Sequence, residues 1–313
     1  MKILKSRLVQ FTVTVGVSLL IFSFLFSKIN VEELISVMYR SNLKLILLTV
    51  VISLLANIFL GAERWRRILQ ALGCPLSYRE VFYIRTGCIP LKIVFPMKSS
   101  ELFKALYLYR RRKLPFAQGV SSLILEKVLN VLATLGIFLF GLSSLDLKIH
   151  PFIPIGGIFI IIFFLFSSKM REFCIIFSKI VHPKLYKFIL QLFSSFEYIS
   201  PREKGILIFY SLWYQFSEFF NTYILFRAVG IEISFFLILA LVPLIMIVNN
   251  LPITILGLGT REGLIVFLFA KYGTSGYLLS AGMLVSFVEH ILPVVIGLFF
   301  IKTFLIHLAL EKG

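Results

Sequence analysis

The chain has 313 residues, 59% of them hydrophobic, and its 32 Lys and Arg outnumber its 15 Asp and Glu to give a formal charge of +17. A mean hydropathy of +0.96 and several apolar runs long enough for about 30 Å of hydrocarbon exclude an ordinary soluble domain. The basic residues cluster between the apolar runs, so they indicate membrane topology and contact with anionic lipid, and no nucleic-acid partner is expected. The three cysteines lie far apart without CxxC spacing, which predicts no disulfide framework, no metal site and no cofactor.

The first apolar run, residues 8–27, follows three basic residues, Lys2, Lys5 and Arg7. The run is longer than the core of a signal peptide and lacks a small-residue cleavage site, so it is interpreted as a retained first span. The basic residues before it predict a cytoplasmic N-terminus.

Residues 28–43 mix charges with apolar residues at helical spacing, which predicts a short interfacial helix. Its apolar positions are Val31, Leu34, Ile35 and Met38. Residues 43–62 are then expected to cross back. The basic run 63–67 is expected in the cytoplasm as a topology determinant, with Trp65 as an interfacial anchor.

Residues 81–109 begin and end beside basic clusters but make a poor single span. They are interrupted by prolines and charges, namely Pro90, Lys92, Pro96, Lys98 and Glu101. A re-entrant pair of helices that enters and leaves on the cytoplasmic side keeps the charge pattern consistent.

The middle of the chain predicts three further crossings and a surface segment. Residues 116–143 form one long span and residues 152–168 return to the cytoplasmic side. Residues 169–204 are interpreted as amphipathic helix on the cytoplasmic surface, and residues 205–226 cross outward with Glu218 inside the span.

A polar, glycine-bearing stretch, residues 249–262, interrupts the next apolar region, 231–271. Its freed backbone groups cannot face lipid, so it must line a cavity or pack inside protein. The pattern predicts a second re-entrant pair of half-helices, with Thr260 as N-cap of the second half-helix. Residues 276–301 then return to a cytoplasmic C-terminus.

The fold expected is an all-α, polytopic transmembrane bundle in one domain, with about six full spans and two re-entrant hairpins. If each hairpin is instead two tilted spans, the count is about eight. The interruptions occupy corresponding places in the pseudo-halves 1–150 and 151–313, which suggests an inverted repeat. We expect the protein in the plasma or inner membrane with both termini in the cytoplasm.

Charged residues at membrane depth usually pair with one another or with a substrate, so they are the candidate site. The predicted substrate-binding residues are Arg261, Glu262, Glu101, Lys104, Lys98, Glu126, Asn250 and Thr260, and the predicted hinge residues are Pro96, Pro252, Gly257 and Gly259. Cationic side chains and the N-terminus of a half-helix would offset the charge of a phosphate.

Three alternatives stay open for the charged residues. Arg261 and Glu262 can form a structural ion pair that joins the half-helices. Lys127, beside Glu126, can extend to the membrane interface instead of serving a site. Glu218 and the pair 289–290 favour internal hydrogen bonding over substrate contact, because no irregular backbone lies near them.

Three local patterns together resemble one membrane-protein family. They are Trp-Arg-Arg-Ile-Leu at 65–69, Pro-Met-Lys-Ser-Ser-Glu-Leu-Phe-Lys at 96–104 followed by Leu-Glu-Lys at 125–127, and Leu-Pro at 251–252 with Gly-Leu-Gly-Thr-Arg-Glu at 257–262. The sequence resembles the flippase-like transmembrane module of the lysylphosphatidylglycerol synthase family, which also occurs as stand-alone membrane proteins. The family usually has Arg where this chain has Lys104 and Lys127, and lysine cannot offer the two-pronged contact of a guanidinium.

The resemblance implies movement of lipids or lipid-linked intermediates between leaflets. In the resembled synthases the aminoacyl chemistry belongs to a separate soluble domain, and the sequence has no Asp-x-Asp pattern or Ser/His/Asp set, so an enzyme is not expected. Anionic membrane lipids are the expected partners. The alternative function is an accessory membrane subunit of an envelope glycosyltransferase or lipid-modifying enzyme, with envelope-biosynthesis enzymes as partners.

Overall fold

The computed structural model describes residues 31–95, 99–143, 199–249 and 254–309, together with positions 16, 21, 23 and 27. Within these ranges the regular structure is helical and no strand occurs, which confirms the all-α prediction. Most of the expected span 8–27, all of the expected span 152–168 and most of the expected surface segment 169–204 lie outside the described residues.

Helix α1, Val31–Arg40, is the predicted short amphipathic helix. Glutamates in its first turn and Arg40 in its last complement the helix dipole. Its buried residues are Leu34 and Val37, whereas Ile35 is exposed. The helix packs against the first half of the last helix, where Thr274 Oγ1 donates to Glu33 at 2.6 Å.

Helix α2 spans Leu43–Ala71 and begins at Asn42, whose side chain caps Lys44 N and Leu45 N. A π-helical segment, Leu54–Leu60, lies inside it. The helix continues beyond the predicted crossing 43–62, through the charged residues 63–67. Its last turns are stabilised by the burial of Arg64 and Trp65, both 0% exposed.

The first predicted interruption is a broken helical pair. Helix α3, Tyr78–Cys88, leads to the single turn Leu91–Val94, and a 3₁₀ turn, Ser99–Glu101, leads into α4, Leu102–Arg112. Residues 96–98 between the two turns are outside the described ranges.

Helix α5, Phe116–Ser143, has the bounds predicted for the long span. Helix α6, Pro201–Ala228, starts four residues before the predicted crossing, where Ser200 caps Glu203 N and Pro201 occupies the first turn. Proline is well tolerated there because the first N–H groups of a helix have no intrahelical partner.

The second interruption separates α7, Phe235–Asn249, from α8, Thr260–Leu268. Between them Leu256, Gly257 and Gly259 have φ of 54°, 76° and 89°, the left-handed region that glycine adopts without strain. The N-cap of α8 is Gly259 and not Thr260 as predicted, so the helix begins one residue earlier. Helix α9, Ser275–Leu308, follows as one long helix with a π-helical segment, Phe287–Ile291.

In the described part of the chain, three helices are long and apolar enough to cross a membrane, namely α2, α5 and α9. Helix α6 has 28 residues but is more polar. The last helix links two apolar cores. Leu278 and Val288 contribute to a core with α6, α7 and α8, and Phe304 contributes to a core with α2, α3 and α4.

Small residues bring helix backbones into direct contact, as is common in membrane proteins. Gly87 of α3 lies against Phe300 and Phe304 of α9, and Gly297 of α9 lies against Pro90. On α5, Gly141 packs against the backbone of α7, whereas Gly136 on the same helix has no atom within 4 Å of the Cβ position.

We predict that Gly141→Ala destabilises the protein. The added Cβ would lie 2.6 Å from the Leu239 carbonyl carbon, so the helices would have to separate, at a cost of about 1–3 kcal/mol. Thermal unfolding of the purified protein in detergent measures the effect. The matched change Gly136→Ala should leave the unfolding temperature at or above that of the wild type, and equal losses in both variants would contradict the packing described for α5 and α7.

Candidate functional site

The two interruptions meet. The turn Leu91–Val94 contacts the turn Ile255–Gly257, and both contribute to a cavity of about 150 Å³. Helices α2, α3, α4, α5, α6 and α9 and the turns of both interruptions contribute to its lining. The lining residues are Asn57, Arg85, Cys88, Ile89, Lys92, Glu101, Lys104, Glu126, Lys127, Asn130, Tyr214, Glu218, Leu256, Glu289, His290, Pro293 and Val294. The irregular backbone of both turns therefore lies next to a polar cavity, which is one of the places where non-helical backbone is tolerated within a membrane.

One carboxylate, Glu126 of α5, gathers cations from three other elements. Its Oε1 accepts hydrogen bonds from Arg64 of α2 at 2.9 Å and from Arg85 of α3 at 2.5 Å. The Lys104 ammonium lies 3.8 Å from its Oε2. Glu126 is 2% exposed and Arg64 is fully buried. Charges this far from water are retained only when paired, so the cluster fixes how these helices pack.

A second carboxylate, Glu101, is shared by three lysines. Lys104 forms a close ion pair with its Oε2. Lys92 and Lys127 approach Oε1 at 3.7 and 3.8 Å, and both lysine side chains are 42% exposed. Because these contacts are long, the ammonium groups of Lys92 and Lys127 can still donate hydrogen bonds to another anion.

We call this set the cationic network, and its members are Arg64, Arg85, Lys92, Lys104, Lys127, Glu101 and Glu126. Among the described residues it joins five cations to two carboxylates. The surplus of positive charge is the main electrostatic property of the site. A buried anion would reduce the repulsion between the cations.

The run 63–67 is divided between the site and the helix surface. Arg64 also donates to Asn130 at 2.5 Å and Ser211 at 3.3 Å, and its guanidinium lies 4.9 Å from the centre of the Tyr214 ring. Trp65, predicted as an interfacial anchor, is instead buried with its Nε1 donating to Ser122 Oγ at 3.2 Å. The prediction of Trp65 as an interfacial anchor is therefore wrong, whereas the topology role of the basic run stays a prediction.

The other basic residues of the run stay nearer the surface. Arg66 and Arg67 pair with Glu63 of the same helix, and Arg67 also approaches Glu203 of α6 at 3.4 Å. These three-residue and four-residue spacings are those of ordinary helix ion pairs.

The residues of the second interruption form a separate hydrogen-bonded cluster. Ser286 lies between Arg261 and Glu262: it accepts from Arg261 at 2.7 Å and donates to Glu262. Arg261 also donates to Leu256 O at 3.2 Å, and Glu262 accepts from Gly259 N at 2.6 Å. The two side chains thus hold the irregular backbone through Ser286, and the predicted direct ion pair is not formed.

Thr260 completes that cluster, since its hydroxyl contacts Asn249 Oδ1 and Gly257 O at 3.0 Å each. Arg261 and Glu262 are 6% and 0% exposed, and of the described residues of this loop only Leu256 lines the cavity. The substrate-binding role of Arg261, Glu262 and Thr260 stays a prediction.

At the other end of the cavity, Glu289 of α9 is held by neutral groups. Ser53 and Asn57 of α2 donate to its Oε2 at 3.1 and 2.7 Å, and Asn221 of α6 donates to its Oε1 at 2.5 Å. The Tyr214 hydroxyl donates to Asn57 Oδ1 at 2.6 Å. Internal hydrogen bonding, the role expected for Glu289, is confirmed.

The structure therefore brings three predicted site residues, Glu101, Lys104 and Glu126, to one cavity. The predicted residues Lys98, Asn250, Pro96 and Pro252 lie outside the described ranges. Sequence reasoning missed Arg64, Arg85, Asn57 and Tyr214 as neighbours of the site. Of these four, only Arg64 and Arg85 could have been recognised from the sequence, because their charges lie inside or next to apolar runs.

Comparison with known proteins shows to which family the chain belongs. The profile of the lysylphosphatidylglycerol synthase TM region matches residues 11–297. The chain belongs to this family of membrane proteins.

Two relatives were found. The UPF0104 membrane protein MJ1595 of Methanocaldococcus jannaschii is 22% identical over 320 residues, covering 93% of this chain and 95% of the relative. Glycosyltransferase AglD of Haloferax volcanii is 31% identical over 123 residues, which cover 37% of this chain and 19% of AglD.

We predict that Glu126→Gln strongly destabilises the protein. The amide would leave Arg64 and Arg85 buried without their carboxylate, and breaking a buried ion pair typically costs about 3–5 kcal/mol. Thermal unfolding followed by tryptophan fluorescence measures the change.

The matched control is Glu63→Gln, because Glu63 also pairs with two arginines but on a partly exposed helix face. Pairs of that kind contribute about 0–1 kcal/mol. Similar shifts for the two variants would show that the Glu126 cluster does not hold the helices together.

Proposed function

We propose that this member of the family binds the anionic headgroup of a lipid, or of a lipid-linked intermediate, and moves it between the two leaflets of the membrane. The observation that carries the proposal is the positive surplus of the cationic network in a cavity between broken helices. Broken helices that meet at a polar cavity are typical of transporter sites.

The headgroup phosphate would bind between Lys92 and Lys127. These two lysines come from different elements, the turn Leu91–Val94 and α5, and share one oxygen of Glu101. A phosphate offers each lysine a charge-assisted hydrogen bond shorter than its present contact of 3.7 or 3.8 Å. Lys104, which has a close pair with Glu101 and is 3% exposed, would hold that carboxylate in place.

The path for the headgroup follows the two interruptions. We propose that the pair α3 and α4 and the pair α7 and α8 are re-entrant hairpins from opposite membrane faces, related as an inverted repeat. Movement of one hairpin against the other would open the cavity to each leaflet in turn. In this arrangement both termini are cytoplasmic and the membrane is the plasma or inner membrane. The proposed activity is movement of lipid, with no bond made or broken by this chain.

The proposal is tested by exchange of fluorescent phosphatidylglycerol between leaflets of vesicles that contain the purified protein. The double variant Lys92→Gln with Lys127→Gln should slow exchange by at least about tenfold, because each charge-assisted hydrogen bond is worth about 1.5–3 kcal/mol.

The matched control replaces two exposed lysines outside the cavity, Lys44 and Lys271, with Gln and should exchange lipid at the wild-type rate. Exchange by the Lys92 and Lys127 variant at the rate of this control would count against the binding site. Absence of exchange by the wild-type protein would count against lipid movement for this headgroup.

A second candidate function is an accessory subunit of an envelope glycosyltransferase, favoured by the partial match to AglD. In that case the cavity would present a lipid-linked substrate to the enzyme. Purification from native membranes in mild detergent should then retain glycosyl transfer to a lipid acceptor, and Lys92→Gln with Lys127→Gln should lose it. Transfer that is equal with and without this chain would exclude the accessory role.

A further inference from the structure

Glu289 differs from Glu101 and Glu126 in what surrounds its carboxylate. It is 6% exposed and its three hydrogen-bond donors, Ser53, Asn57 and Asn221, are neutral. Within the described ranges it makes no ion pair with a lysine or arginine. A carboxylate in such surroundings is much less stable than one beside a cation, so its neutral, protonated form is favoured by comparison.

The backbone around Glu289 is unusual on both sides of the contact. Glu289 lies in the π-helical segment Phe287–Ile291, and its donor Asn57 lies in the π-helical segment Leu54–Leu60 of α2. Such segments are rare and occur frequently at functional sites. Here the two segments face each other across the hydrogen bond between Asn57 and Glu289.

We propose that Glu289 is a proton-binding site and that its protonation is coupled to movement of the headgroup. The inference rests on the proposed function and adds to it the source of free energy, a difference in proton concentration across the membrane. In the binding step an O–H bond forms between a proton from water in the cavity and one oxygen of Glu289, and the carboxylate becomes a neutral acid. Release reverses this step on the other side.

Beside each oxygen of the Glu289 carboxyl lies a group that can accept a hydrogen bond from that proton. On the Oε2 side, Ser53 Oγ lies 3.1 Å from both Glu289 Oε2 and Val288 O. A hydroxyl has one hydrogen, which can serve only one of them. Ser53 Oγ already accepts from Asn57 Nδ2 at 3.0 Å, and with its own hydrogen on Val288 O its second lone pair can accept the O–H of protonated Glu289.

On the Oε1 side the acceptor is Asn221. Its Nδ2 donates to Glu289 at 2.5 Å, whereas its Oδ1 is buried without a hydrogen-bond partner among the described residues, in a side chain that is 0% exposed. A buried amide oxygen without a partner is costly and calls for an explanation. Rotation of the amide by a half-turn would place Oδ1 where Nδ2 is now, and there it would accept the proton of the acid.

The cavity gives the proton a route, because Glu289 and the hydrogen-bonded groups Asn57 and Tyr214 all line it. Charged or titratable groups face Glu289 from each side. They are Tyr214 and Glu218 of α6, Arg261 of α8, His290 of α9, and the cationic network across the cavity. Glu218 is a second carboxylate in the same cavity, so the matched control is instead Glu232, an exposed carboxylate outside it.

The coupling follows from charge. Moving an anionic headgroup with a proton on Glu289 carries one less unit of negative charge through the membrane than moving the headgroup alone. The transmembrane potential acts on each unit of charge moved, so a headgroup of one negative charge that moves with one proton is not opposed by the potential. The difference in proton concentration then sets the direction in which movement is favoured.

The test uses vesicles with the purified protein and fluorescent phosphatidylglycerol in both leaflets, on which a pH difference is imposed. The readout is the fraction of label in the outer leaflet, measured by chemical quenching. The wild-type protein should make the leaflets differ at least twofold. Glu289→Gln should exchange label but leave equal leaflets, and Glu232→Gln, the change of an exposed carboxylate outside the cavity, should keep the wild-type asymmetry.

Two results would overturn the proposal: asymmetry in Glu289→Gln equal to that of the wild type, or wild-type exchange without any asymmetry. In the second case lipid movement itself would stand. If the wild type exchanges no label, lipid movement fails for this headgroup and infrared difference spectra between acid and alkaline conditions decide the proton site. A protonated-carboxyl band that is lost in Glu289→Gln and kept in Glu232→Gln supports it, and a band unchanged in Glu289→Gln rejects it.

Discussion

The arrangement of the helices depends on one constraint, that a buried cation needs a carboxylate partner. Here three cations share the same carboxylate. Glu126 meets this constraint for Arg64 of α2, Arg85 of α3 and Lys104 of α4. Removing one partner from such a cluster leaves an uncompensated charge, which costs more than the pair contributes in isolation. The four helices are therefore held in the one geometry that brings these side chains together. The glycine contacts between α3 and α9 then set how closely the last helix can approach this cluster.

The two interruptions satisfy the same constraint in different ways. At the second one, Arg261 and Glu262 are occupied by the loop itself, through Leu256 O, Gly259 N and the shared Ser286 hydroxyl. At the first one, Lys92 and Lys104 outnumber Glu101, and Lys92 is partly exposed, as is Lys127 of α5. In the described part of the second interruption the charged side chains are therefore already occupied, whereas the first carries charge that is available to a ligand. This difference explains why the lysines, and not Arg261, are placed in the proposed headgroup site.

Sequence reasoning recovered features that depend on local pattern. It located both broken pairs, the bounds of α5 and the convergence of Glu101, Lys104 and Glu126. It failed for Arg64, because a basic run after an apolar segment ordinarily indicates the cytoplasmic surface. The partners that bury Arg64 are Glu126, Asn130 and Ser211, which lie on helices far away in sequence. The π-helical segments were missed for a similar reason, since they are set by tertiary packing and have no pattern of apolar residues of their own.

The two ends of the cavity are joined by Tyr214. Its ring lies under the Arg64 guanidinium, 4.9 Å from the ring centre, and its hydroxyl donates to Asn57, which in turn donates to Glu289. An anion bound in the cavity would attract the Arg64 guanidinium and alter its contact with that ring. Because the hydroxyl and the ring move as one rigid group, the same displacement would change the hydrogen bond to Asn57. Under the proposed function, this aromatic side chain would connect headgroup binding to the carboxyl group at which a proton would bind.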